Sequence, residues 1–447
     1  MALKESLIVK LNKDFIWGTA TSSYQIEGAI NDDGKGLNIW DTFCMKEGNI
    51  LDRTDGKIAC DHYNRYEEDV QLIKNLGVSE YRFSLSWARL FPFGTGNKNQ
   101  EGFDFYNKLI NSLLENGVTP WITFYHWDLP ATLQDEGGWT NPDCHKWFAE
   151  YAHKSTEVFS DRVKNYFLLN EPSVACFEGH LTGFNAPGLK SKTNYLKAVH
   201  QQNLAIKKGY EAVKSFGADL NVGSTFTYFP VRPAQNGDEF IKARNMMDCL
   251  WNRASLDPIL LGKYPDLIIN DLSKIHTQIE PTKTPLDFVG LQHYCPSYAY
   301  PNTTNDYNCG FGPSTDNQEE TDMGWPIDPK AFTECLIDFK QRYGDINIYI
   351  SENGCAMPDI LEKDGTVQDI RRIKYFENYL EAMKNAMDKG VTIKGYFIWS
   401  MFDNFEWAFG LSKRFGIVYL DYKNDLKRIP KASYVWWQKY LKALKEK

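Results

Sequence analysis

Nowhere in this chain do apolar residues run together for the roughly 18 positions that a membrane-spanning helix needs. The cysteines, at positions 44, 60, 144, 176, 249, 295, 309, 335 and 355, are odd in number and scattered, with no CxxC pair of the kind that marks zinc or redox work. Reduced thiols in a cytoplasm are the simplest expectation. The eight histidines contain no HxxH or HxH pair, and no Gly-rich turn follows an early strand-like run, so no metal and no other cofactor are expected. Excess positive charge is missing as well. Lys and Arg number 50 against 58 Asp and Glu, a net charge of −8, which favours solubility and disfavours a phosphate-backbone partner, so no nucleic acid is expected. Lys4, Glu5, Lys10 and Lys13 occupy the N-terminal stretch where a secretion signal would have an apolar core. Internal repeats, linkers and low-complexity tracts are absent, and Asn302-Thr303-Thr304 is a lone glycosylation-type triplet of the sort that chance supplies in a chain this long.

What the chain has in abundance is aromatic rings: 13 Trp, 25 Tyr and 27 Phe. Many stand beside Asn, Gln, His or Glu, a pairing that suits sugars, whose C–H faces stack on rings while their hydroxyls seek polar partners. Eight short β-branched and aromatic runs recur: Phe15 to Ala20, Glu80 to Trp87, Pro120 to His126, Tyr166 to Asn170, Asn221 to Phe229, Asp287 to Tyr294, Asn347 to Glu352 and Lys394 to Trp399. Helix-like stretches separate them, among them Asn64 to Leu76, Phe103 to Asn116, Tyr195 to Phe216 and Ile370 to Lys389, with Gly77, Gly117 and Gly390 as stops. Strands alternating with helices eight times predict an α/β fold, a single (β/α)8 TIM barrel with elaborated βα loops spanning residues 1–447 as one domain. The competing open, doubly wound sheet would ask for the phosphate turn that is missing.

Two of the apolar runs deliver a glutamate at their end, in Leu168-Leu169-Asn170-Glu171-Pro172 and in Ile350-Ser351-Glu352-Asn353-Gly354. A barrel collects the C-terminal ends of its strands at one mouth. Two carboxyls there are the raw material of glycoside hydrolysis, where one protonates the leaving oxygen and the other traps the sugar carbon. The other strand ends are also polar or aromatic, as in Tyr24-Gln25, Tyr125-His126-Trp127 and Gln292-His293-Tyr294. The segment from Pro301 to Pro326, rich in Asn, Thr, Gly and Asp, is the best candidate for a mobile loop over the site.

At this point the chain resembles family 1 of the glycoside hydrolases, the β-glucosidase family. The resemblance rests on the run from Phe15 to Gly28, Tyr81-Arg82-Phe83-Ser84, Tyr125 to Pro130, Asn170-Glu171-Pro172, Ser351 to Gly354, Asp403 to Trp407 and Arg414-Phe415-Gly416. It implies that Glu171 is the general acid and then base and that Glu352 is the nucleophile. Arg82 is placed beside Glu352, lowering its pKa, with Tyr294 hydrogen-bonded to it. The resemblance further implies that Gln25, His126, Trp127, Asn170, Glu406, Trp407 and Phe415 hold the sugar, Asn170 at the 2-hydroxyl, with Trp399 as the stacking platform and Trp325 as the leaving-group platform. The expected partner is a small-molecule β-glycoside, with no membrane, and monomer and homo-oligomer are left equally open.

Departures from the family pattern gather where the leaving group would sit. Ser173 stands where Trp is frequent, Gln292-His293 where Asn-Tyr is common and Thr227 where Asn often follows, with Cys176 and His180 on the segment after Glu171. Hydrolases of 6-phosphorylated disaccharides share the family, but they typically have Ser at the place of Glu406 and Tyr at that of Phe415. Their lysine is matched by Lys413. A carboxylate at 406 is expected to repel a 6-phosphate, which favours an unphosphorylated β-glucoside, with galactosides and fucosides as secondary substrates. The alternatives are a 6-phospho-β-glucosidase and a sugar-binding barrel without activity. Thioglucosidases typically carry Gln in place of Glu171.

Overall fold

The computed structural model describes residues 14–275, 279–302 and 305–446. The N-terminal lysines and most of the Asn302 triplet lie outside the described residues. Eight strands form a closed parallel barrel: β1 (Ile16–Ala20), β2 (Glu80–Ser84), β3 (Thr119–Tyr125), β4 (Asn165–Asn170), β5 (Asn221–Thr227), β6 (Phe288–Gln292), β7 (Ile348–Asn353) and β8 (Ile393–Trp399). Each pairs with its sequence neighbours, and β8 closes on β1. The predicted run to Trp87 stops at Ser84, because Trp87 opens a short helix of its own, Trp87–Leu90.

Helices such as His62–Leu76, Gln100–Glu115, Cys144–Phe159, Lys192–Lys214, Pro329–Tyr343 and Ile370–Asp388 return the chain between strands, and Ala432–Lys445 follows β8. Gly77 (φ 90°) and Gly117 (φ 72°) end the first two in the left-handed region, where a Cβ would be strained. The apolar faces of these helices cover the outside of the strands, so the strands are buried on both faces and read as continuous apolar runs. All nine cysteines are free, eight of them buried, and among the described residues no helix is long and apolar enough to cross a membrane.

The lower half of the barrel is filled by aromatic rings. Trp121 on β3 lies 5.0 to 5.6 Å, centroid to centroid, from Phe167 (β4), Phe288 (β6), Tyr349 (β7) and Phe397 (β8). Room for the plug comes from glycines on the adjacent strands: a Cβ at Gly18 would sit 2.4 Å from Phe397, and one at Gly223 would sit 2.5 Å from Phe288. The indole N–H of Trp121 donates to the Glu80 carboxylate at 2.6 Å. Burial pushes the Glu80 carboxyl up to about 7.

The plug is a floor, and the polar ends of the strands sit above it. Trp121→Ala is expected to cost about 3 to 5 kcal/mol of unfolding free energy, because it removes the central ring and strands Glu80. A denaturation midpoint unchanged from the parent would refute this account of the barrel interior.

Candidate active site

The two glutamates predicted from sequence emerge at irregularities in the barrel. Between Phe167 and Asn170, β4 advances three residues while β5 advances only two, from Gly223 to Thr225. Between Ile350 and Glu352, β7 advances two residues against one on β6. Bulges of this kind re-aim side chains, and here they turn Asn170 and Glu352 toward the barrel axis. Glu171 follows with a left-handed backbone (φ 46°) before the helix Pro172–Cys176. Trp127 (φ 75°) and Trp407 (φ 48°) share that conformation. Each such residue costs about 1 to 3 kcal/mol, and the clustering of three at one mouth marks a functional surface.

Arg82, on β2 and without exposed surface, organises the floor of the site. Its Nη1 donates to Glu352 Oε1 at 2.6 Å, its Nη2 to Asn170 Oδ1 at 2.6 Å, and its Nε to Thr123 Oγ1 at 3.0 Å. The guanidinium lies 4.8 Å above the Phe167 ring of the plug. Tyr294 donates its hydroxyl to the other oxygen, Glu352 Oε2, at 2.6 Å. Gln292 donates to Asn170 Oδ1 at 2.9 Å, and Trp127 Nε1 donates to the Asn170 carbonyl at 2.9 Å.

Above this floor opens a cavity of about 370 Å³ whose walls include Glu171, Glu352, His126, Trp127, Tyr294, Trp325, Trp399, Glu406, Trp407 and Phe415. Arg82, Asn170 and Gln25 stand behind that lining. His126 is held between the rings of Trp399 and Trp407, at 5.9 and 5.8 Å. Buried polar atoms here without a partner among the described residues include His126 Nδ1, Asn170 Nδ2 and Glu406 Oε2. An unpaired buried polar atom costs about 1 to 3 kcal/mol, so such atoms suit ligand hydroxyls. Gln25 differs. Its Nε2 donates to Asn404 Oδ1 and to the Phe405 carbonyl, and its Oε1 accepts from Ser22, so only a remaining oxygen lone pair is free for a sugar.

Burial dominates the electrostatics. It pushes the Glu171 carboxyl well above the usual range, and the charges of Glu352, Glu178 and Glu406 push it further. Glu352 is also raised by burial, but Arg82, Tyr294 and Gln292 hold it back. The sequence reading expected a depressed Glu352; the guanidinium does act downward, yet desolvation outweighs it. Both carboxyls are raised, and what separates them is that Glu352 alone accepts from a guanidinium and a phenol. His126 is driven well below its ordinary value by burial and then by Arg82, leaving the ring neutral. Glu406 is pushed up to about 8 by burial. The expected repulsion of a 6-phosphate by a carboxylate at 406 therefore gives way to another obstacle: no Lys or Arg among the described residues lines the cavity. Lys413 is held by Asp322, at 2.5 Å to its carbonyl and 3.2 Å to its carboxylate.

Several residues differ from the sequence reading at the leaving-group end. Ser173, Cys176 and His180 turn away from the cavity, whereas Val174 and Glu178, three and seven residues after Glu171, line it. That spacing is one helical face, and it was readable. Phe184, Asn185, Phe229, Trp251 and Phe311 also line the cavity; they converge from distant segments, and no local pattern announces them. His293 packs on Phe332 outside the barrel, with Nδ1 3.1 Å from the Tyr228 carbonyl. Of the Pro301 to Pro326 segment, Phe311, Gly312, Ser314 and Met323 to Pro326 line the cavity, and Cys309–Gly312 pairs antiparallel with Ser297–Pro301.

Two buried carboxyls at the mouth of a parallel barrel, unequal in their partners and surrounded by rings and unpaired polar atoms, define the site of a barrel glycosidase. The chain belongs to glycosyl hydrolase family 1, whose family model matches residues 8–446, and it is a glycoside hydrolase. It is 41% identical over 440 residues to beta-glucosidase A of Acetivibrio thermocellus, covering 96% of this chain and 98% of that protein. It is 42% identical over 439 residues to the 1,4-beta-D-glucan glucohydrolase of Thermotoga neapolitana, covering 97% and 98%. Among solved structures, the beta-glucosidase from Thermotoga maritima in complex with deoxynojirimycin superposes with a TM-score of 0.92 at 41% identity, covering 97% of this chain and 99% of that one.

A carboxyl whose pKa is raised on folding binds its proton more tightly in the folded state, so it costs nothing below its unfolded value and destabilises the fold as pH rises above it. Glu171 is such a group. The neutral isostere in Glu171→Gln should melt roughly 1 to 3 °C above the parent near neutral pH, the difference closing toward pH 4. Equal melting temperatures at both pH values would contradict it.

Proposed function

We propose that this enzyme is a retaining β-glucosidase that releases terminal, non-reducing β-glucosyl residues from β-glucosides and short oligosaccharides by double displacement. The observation that carries the reading is the inequality of the two glutamates. Glu352 accepts from a guanidinium and a phenol, whereas Glu171 has no ion pair among the described residues and three carboxyls acting on it. Glu352, ionised first, attacks the anomeric carbon, and Glu171 gives its proton to the leaving oxygen. Formation of the glycosyl ester removes the charge of Glu352. The pKa of Glu171 then falls, and the same group takes a proton from the incoming water.

Asn170 Nδ2, His126 and Glu406 are assigned to sugar hydroxyls on the strength of their unpaired atoms. Gln25 is assigned as an acceptor, with Trp399 and Trp407 as stacking surfaces, Phe415 beside them, and Trp325 toward the leaving group. Losing one such contact costs about 1 to 3 kcal/mol, which leaves room for slower cleavage of galactosides and fucosides. The aromatic walls at the leaving-group end suit an alcohol in place of water, and hence transglycosylation. We assign catalysis to residues 1–447 acting as one domain, and the nine free thiols favour the cytoplasm.

Initial rates on 4-nitrophenyl β-glucoside, β-galactoside, β-fucoside and β-glucoside 6-phosphate test the substrate. Cleavage of the glucoside with little on the 6-phosphate is expected; the reverse would turn the reading to a phospho-glucosidase, and silence on all would favour a binding protein. Glu352→Gly should lose at least about a thousandfold in kcat, partly restored by azide or formate entering the vacated space. Retained activity without a rescuer would show that another group attacks. In Arg82→Met, the cation that favours ionised Glu352 is gone. The acid limb of kcat/KM should therefore move to higher pH, and an unmoved limb would sever Arg82 from that role.

A further inference from the structure

Glu178 is a carboxylate that the proposed mechanism does not use. It lines the cavity seven residues after Glu171 and is partly buried. Asn185 donates to its Oε2. No cation among the described residues acts on it: burial raises the carboxyl to about 7, and the Asn185 hydrogen bond is the influence that opposes it. Asn185 is 5% exposed, and its Oδ1 is buried without a partner. The pair thus offers acceptors to the cavity, with no cation among the described residues paired to the carboxyl.

The surroundings suit a cation. Phe184, 48% exposed, lies 5.7 Å from Phe409 on the same cavity wall, and Trp251 stands 5.0 Å from Phe311. Ring faces attract ammonium groups through their negative quadrupole. A structural role accounts poorly for the charge. The turn carrying Asn185 is already held by backbone bonds from Asn185 N to Glu178 O at 3.2 Å and from Leu189 N to Gly179 O at 2.9 Å, and a neutral glutamine could accept from Asn185 equally well.

We propose that Glu178, supported by Asn185 and the aromatic walls beside it, selects leaving groups that carry a protonated amine. This rests on the glycosidase reading above and specifies its leaving-group end. The ammonium would supply the missing cationic partner of Glu178 through a charge-assisted hydrogen bond.

The test compares kcat/KM for 4-(aminomethyl)phenyl β-glucoside and 4-(hydroxymethyl)phenyl β-glucoside near pH 8 in the parent, Glu178→Gln and Glu178→Asp. Differences in intrinsic leaving-group reactivity cancel, because the same two substrates are compared across variants. The amine-to-alcohol ratio is expected to fall about tenfold in Glu178→Gln, mainly through KM, and to stay within about threefold of the parent in Glu178→Asp. An equal ratio in the parent and Glu178→Gln would overturn the assignment while leaving the glycosidase intact. Failure of the parent to cleave either compound would overturn the proposed function, and this inference with it.

Discussion

Arg82 is a guanidinium with no contact with solvent, and a charge so placed must be paired and hydrogen-bonded or the fold cannot keep it. Its partners come from three other strands: Thr123 on β3, Asn170 on β4, and Glu352 with the Ser351 carbonyl on β7. The Phe167 ring supports it from below. One side chain therefore fixes the relative positions of the strand ends on which both glutamates are carried. The aromatic plug gives it a dry floor, and the bulges in β4 and β7 bring its acceptors within reach.

A single guanidinium faces a surplus of carboxyls. Glu171, Glu352, Glu406 and Glu178 all sit in or against the cavity, and burial raises every one of them. Arg82 bonds directly to only one, so the four are not equivalent: Glu352 alone has a cation and a phenol to favour its ionised form. That inequality assigns the proposed acid and nucleophile. It also makes the site a stability cost, joined by left-handed backbones at Trp127, Glu171 and Trp407, as expected where function and stability compete.

The eight strands were legible because parallel strands buried on both faces are short, apolar and bounded by turn residues. The helix stops at Gly77 and Gly117 were legible because left-handed caps favour glycine. The lining of the leaving-group end was harder to read. Val174 and Glu178 follow from helical spacing after Glu171. Cys176 and His180, on the same segment, face away, so the departures that drew attention there were not the ones that line the cavity. Phe229, Trp251 and Phe311 have no shared pattern in sequence, since each reaches the site from a different loop.

By itself, the sequence determined the barrel, the mouth at which the polar residues gather, and the pair of glutamates delivered there, because periodicity, turn chemistry and strand-end position are local properties of the chain. The tertiary structure alone decided that burial outweighs the Arg82 cation at Glu352 and that Glu406 is pushed toward its protonated form. It also decided which side chains of the segment after Glu171 face the cavity. These outcomes depend on desolvation and on distances between atoms far apart in the chain, and both come into being only when the barrel closes.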